Sequence, residues 1–104
     1  MVIKVFDTAP KEGNMKEFSY ENKEYFVVKN NGKLFCADNK CPHEDIKLTL
    51  GCIKGNSIKC SLHGYSFDLV TGSCSDEDVD RLNTYSVEEK NDGVYVEVLW
   101  VVKN

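Results

Sequence analysis

Two short cysteine–histidine pairs constrain this chain more than anything else in it. Cys41-Pro42-His43 and Cys60-Ser61-Leu62-His63 contain both histidines of the 104-residue protein, and sixteen residues, Glu44 to Lys59, separate them. A cysteine followed by a histidine two or three residues later can offer a thiolate and an imidazole to one centre. Two such loops facing each other meet the needs of a metal site held between loops. A lone cysteine usually acts as a small buried hydrophobe, and a lone histidine as an ordinary surface or core residue. That reading suffices for one pair and fails for two pairs that use every histidine.

Between and around these loops the chain reads as short strands. Val2–Phe6 is strand-like and is stopped by Asp7-Thr8-Ala9-Pro10. Glu24–Lys29 and Lys33–Ala37 flank Asn30-Asn31-Gly32, whose Asn-Gly step suits the positive φ angles of a type I′ hairpin. Gly55-Asn56 marks a second hairpin, and Asn91-Asp92-Gly93 a third between Thr84–Glu89 and Val94–Val102. In that last arm Val94, Val96, Val98, Trp100 and Val102 share one face, while Leu99 and Val101 make the end of the other face apolar. No stretch of ten or more residues has helical periodicity, and the acidic run Asp76–Asp80 reads as a solvated loop. Short strands with Gly and Asn turns predict an all-β antiparallel sandwich or small barrel in one domain.

Charge and composition narrow the function. The net charge of −4 argues against nucleic acid as a partner. Lys4, Asp7, Lys11 and Glu12 interrupt the region where a signal peptide would need an apolar core, and no apolar run has membrane-spanning length. A cytoplasmic protein is expected. Five cysteines (Cys36, Cys41, Cys52, Cys60, Cys74) are an odd number, and in such a compartment cysteines paired with histidines point to metal or catalysis rather than to a disulfide framework.

Thiolate with imidazole selects zinc, iron–sulfur or copper over magnesium or calcium. A plant-type two-iron centre fails because no cysteine follows Cys41 at the required spacing. A four-coordinate zinc site and a two-iron centre with mixed ligation both remain open on spacing alone.

Beyond the four candidate ligands, the chain resembles the Rieske family, and specifically its ferredoxins. Asp38-Asn39-Lys40-Cys41-Pro42-His43 leads in, Leu48 and Gly51 follow, and Cys60 through Gly72 matches the second box, together about a third of the chain. The resemblance implies a Rieske-like β-sandwich or partial barrel, with base sheets at 1–37 and 75–104 and a cluster-binding subdomain of loops and short strands at about 38–74. It implies one [2Fe-2S] cluster per chain, with Cys41 and Cys60 on the buried iron and His43 and His63 on the outer one. It further implies a one-electron carrier, not an enzyme, passing electrons from a reductase to an oxygenase or other acceptor near the two histidines. Both histidines being committed, none is left for an oxygenase's mononuclear iron. A monomer is expected, with no membrane or nucleic-acid partner. The rival is a zinc-stapled binding module with no redox role.

High-potential members of the family join two extra loop cysteines; Ile46 and Leu62 stand there instead. The serine and tyrosine hydroxyls that bond to the cluster and a ligand sulfur are replaced by Tyr65 and Phe67. Hydrogen bonds to sulfur stabilise the reduced, more negative state, so their absence predicts a low potential. Glu44 and Asp45, beside the first pair, add negative charge in the same direction. Ile46, Leu62, Pro42 and Tyr65 are expected to form an apolar rim.

Overall fold

A computed structural model describes residues 1–43, 45–61 and 64–98. Among the described residues ten strands, with a short 3-10 turn at Leu48–Leu50, make three antiparallel sheets, in agreement with the all-β expectation. The strands are β1 (Val2–Phe6), β2 (Met15–Tyr20), β3 (Lys23–Asn30), β4 (Lys33–Asp38), β5 (Cys52–Lys54), β6 (Ser57–Lys59), β7 (Ser66–Asp68), β8 (Thr84–Tyr85), β9 (Val87–Lys90) and β10 (Gly93–Glu97). The sheets are ordered β1-β10-β9, β2-β3-β4-β8 and β5-β6-β7.

The hairpins follow local turn chemistry. Asn31 and Gly32 both have positive φ, as a type I′ turn requires, and they set β3 against β4 from Tyr25↔Asp38 to Asn30↔Lys33. The Glu12 carboxylate accepts the N–H groups of Asn31 (2.7 Å) and Gly32 (2.9 Å), satisfying the turn from outside. The buried Asn30 amide donates to the Gly55 carbonyl at 2.8 Å, which ties this turn to the one between β5 and β6.

β3 is buried on both faces, and its alternation divides the core in two. Phe26 and Val28 point into a cluster with Ala37, Cys41, Leu48, Ile58, Cys60, Phe67, Leu69 and Leu82. Tyr25 and Val27 point into the other, with Cys36, Val96 and Val98. The second is lined by stacked and edge-on rings, Phe18 on Tyr25 and Tyr85 against Tyr25. Val94, Val96 and Val98 are buried as their shared face requires, and Glu97 is exposed. Leu99, Trp100, Val101 and Val102 lie outside the described residues.

One segment departs from the reading of its sequence. Thr84–Glu89 is not a single arm: Thr84–Tyr85 pairs with β4, while Val87–Lys90 pairs with β10. The chain crosses between sheets at Ser86. The Tyr85 hydroxyl holds the crossing, donating to Asp38 Oδ1 at 2.6 Å beside Lys23, whose Nζ lies 3.1 Å from the same carboxylate oxygen. The acidic run Asp76–Asp80 is loop and turn, as expected.

Candidate metal centre

Both cysteine loops leave the end of a strand and close in the same way. The Cys41 N–H donates to the Ile46 carbonyl at 2.9 Å, and the Cys60 N–H to the Tyr65 carbonyl at 2.8 Å. In each loop the bonded peptide lies five residues beyond the cysteine, so the two thiols occupy equivalent positions in similar rings. Each cysteine is buried, and both belong to the same core cluster. The loop tips face outward: Pro42, His43, Asp45, Ser61 and Gly64 are exposed. Gly64 has φ +73°, a left-handed conformation that reverses the second loop at little cost for glycine.

The loops touch through rings. His43, from the first, packs edge-on against Tyr65, from the second, with centroids 4.7 Å apart and planes at 72°. Cys41, His43 and Cys60 therefore come to one end of the molecule, with thiols inward and imidazole outward. His63, Glu44 and Leu62 lie outside the described residues. Among the described residues no three His, Cys, Asp or Glu side chains group as a metal site. The donor set that is described, two inward thiols and one outward imidazole, fits a two-iron group of mixed ligation.

The remaining cysteines are placed elsewhere. Cys36 sits in the other core cluster, where burial first and the Asp38 charge second push its thiol up to about 12. A thiol held neutral there is a poor metal ligand. Cys52 is exposed on β5, and Cys74 is half-buried with its sulfur accepting the Asp76 N–H. None of the five cysteines is in a disulfide. Phe67, two residues beyond Tyr65, is fully buried in the cluster that holds Cys41 and Cys60. Ile46 and Tyr65 are half-buried against that cluster, and Pro42 is exposed. Asp45 is exposed and partly offset by Lys40, 3.6 Å away.

A polar latch beneath the first loop was not visible in the sequence. Asn39, buried two residues before Cys41, donates to Glu17 Oε2 at 2.7 Å and accepts the Thr49 N–H at 3.1 Å. The Thr49 hydroxyl also donates to Glu17, and Lys47 pairs with both Glu17 (3.8 Å) and Glu24 (3.2 Å). Strands β2 and β3 thus grip the chain on both sides of the loop. The only local signal was the alternation of Lys16, Phe18 and Tyr20 against Glu17 and Ser19, which marks β2 but names no partner for Glu17.

Hydrogen bonds from Thr49 and then Asn39 hold the Glu17 carboxyl below the usual carboxylate range. Bonds from backbone N–H groups do the same for Glu12 and Asp68. A carboxyl lowered in the folded state binds fewer protons than in the unfolded chain near its ordinary titration range. Its stabilisation is complete above that range, near pH 4, and is lost as pH falls through the lowered value. Urea midpoints should therefore drop on acidification below about pH 4.5. Glu17→Gln should make that drop shallower; an unchanged slope would show that the latch carboxylate contributes nothing.

An all-β frame thus brings two buried thiols and one exposed imidazole to one end of the molecule. The chain belongs to the Rieske [2Fe-2S] domain family, whose model matches residues 1–86, and such a domain takes one two-iron cluster. The chain is 30% identical over 88 residues to the ferredoxin component of the naphthalene 1,2-dioxygenase system of Pseudomonas putida, covering 84% of this chain and 85% of that protein. It is also 32% identical over 71 residues to the oxidoreductase NdmD of Pseudomonas putida, but spans only 12% of that protein's length. Among solved structures, the Sphingomonas yanoikuyae B1 ferredoxin superposes with a TM-score of 0.82 at 27% identity, covering 93% of this chain and 98% of that one.

Proposed function

We propose that this protein is a one-electron carrier that takes electrons from a reductase and passes them to an oxygenase or another redox acceptor. The observation that carries the reading is the pair of matched loops, each burying a thiol, with His43 at the exposed tip. In this reading Cys41 and Cys60 hold one iron, and His43 and His63 the other. When bound, the two-iron group supplies a single electron that can be accepted and returned.

The residues do the rest. Phe67, Leu48 and Ile58, all fully buried around the two thiols, keep water from the inner side. The exposed His43 tip offers the short approach to a partner, and Pro42 and Tyr65 add apolar surface beside it. A small interface of this kind suits a carrier that must leave its partner quickly. Phe67 offers no hydroxyl to the thiolates, which supports a potential toward the bottom of the family's range.

The same reading treats the chain as a single domain, with base sheets at 1–37 and 75–104 and a cluster-binding part at about 38–74. Working as a monomer in the cytoplasm belongs to it as well. No helix among the described residues is long and apolar enough to cross a membrane.

The test is iron, zinc and acid-labile sulfide analysis of protein isolated with its native metal, with visible absorption before and after dithionite. Two irons and two sulfides per chain, with bleaching on reduction, are expected. Colourless protein containing zinc and no sulfide would replace the carrier with a zinc-stapled module.

A further inference from the structure

Tyr65 lies two residues beyond the second histidine of the Cys-x-x-His pair and is not itself one of the four candidate ligands. It stands between Gly64, with φ +73°, and Ser66, the first residue of β7. Its carbonyl accepts the Cys60 N–H, so its backbone closes the second loop. Its ring packs against the core cluster containing Cys41, Cys60 and Phe67, and also meets the His43 ring of the opposite loop at 4.7 Å and 72°. Tyr65 is thus anchored through its backbone and by the core, whereas His43 is an exposed side chain on a loop tip.

We propose that Tyr65 is a positioning residue for electron transfer, holding the His43 imidazole in one orientation and keeping water off the side of the centre that it covers. This rests on the reading of His43 as a ligand. Ligation through one nitrogen would fix where that nitrogen sits and leave the plane of the ring to be set by its packing, and an anchored aromatic edge against the ring favours one setting. That setting decides where the imidazole presents its outer edge to a partner. The ring also occupies space that water would otherwise fill. Reduction adds one negative charge, which water stabilises and an apolar ring does not. The ring therefore holds the potential down, and it does so through bulk and not through its hydroxyl.

The experiment measures the midpoint potential and the electron paramagnetic resonance line shape of the reduced, cluster-loaded protein with Tyr, Phe, Leu or Ala at position 65. Tyr65→Phe should match the parent in both. Tyr65→Ala should raise the potential by roughly a tenfold change in the reduction equilibrium, about 59 mV for one electron, and broaden the signal as His43 takes several orientations. Tyr65→Leu, which keeps apolar volume without a ring, should broaden the signal with a smaller rise; it also serves if the alanine variant does not fold. Parent-like potential and line shape in both the Leu and Ala variants would overturn the proposal. So would a shift in Tyr65→Phe as large as in Tyr65→Ala, which would assign the effect to the hydroxyl. His43→Ala separates the two levels: a variant retaining the parent signal would remove His43 from the ligand set and take the underlying reading with it.

Discussion

Gly72→Ala should destabilise the protein by about 2–5 kcal/mol, making it one of the most damaging single-methyl additions available in this fold. Gly72 has φ +80°, where a side chain costs roughly 1–2 kcal/mol. An added Cβ would lie 1.9 Å from the Leu82 carbonyl oxygen, so the backbone itself would have to move. Overpacking of that kind costs roughly 1–3 kcal/mol more. The two segments are also hydrogen-bonded, the Leu82 N–H donating to the Gly72 carbonyl at 2.8 Å, while the Gly72 N–H donates to the Asp68 carbonyl of its own turn at 2.8 Å. Leu82 is buried in the cluster that contains Cys41 and Cys60, so a shift here reaches the wall of the candidate centre. Gly13→Ala is the control: Gly13 has φ +81° with nothing within 4 Å of an added Cβ. Urea unfolding should show the Gly72 variant losing clearly more stability than the Gly13 variant. Equal losses would mean that only backbone strain matters and the close approach to Leu82 relaxes freely.

Cys41→Ala and Cys60→Ala should each abolish the visible absorption and remove nearly all iron and sulfide, while Cys52→Ala should retain both. Removing either thiol would leave an iron short of a ligand, and the other cysteines are poorly placed to replace it. Cys36 belongs to the other core cluster, and burial keeps its thiol protonated. Cys74 is occupied with the Asp76 N–H. Exposed Cys52 is the test of specificity, because an adventitious metal held by accessible thiols would depend on it. Circular dichroism in the far ultraviolet should confirm that the alanine variants keep their strands. Full metal content in Cys41→Ala or Cys60→Ala would refute the ligand assignment.

The parts of this protein legible in the sequence are those governed by neighbours along the chain. Asn31-Gly32 dictated its hairpin because only a few residue types accept two positive φ angles in succession. Val94, Val96 and Val98 declared a buried face because side chains alternate along a strand whatever it pairs with. Thr84–Glu89 misled for a related reason: Thr84, Tyr85 and Val87 favour a strand on both sides of Ser86, and local preference says nothing about a change of partner there. Only β4 on one side and β10 on the other divide it.

The candidate centre divides in the same way. Cys-x-His and Cys-x-x-His with sixteen residues between them determined the donor types, thiolate with imidazole, because chelation within a loop depends on short-range spacing; the residues around them, through Gly72, carried the family resemblance. Tertiary structure decided what surrounds those donors. Glu17 and Asn39 are twenty-two positions apart, Gly72 and Leu82 ten, and His43 and Tyr65 lie on opposite loops. Each contact exists only because sheets pack one segment on another. No residue preference or spacing rule encodes which distant side chain fills a given space, and packing alone put a tyrosine ring against the histidine.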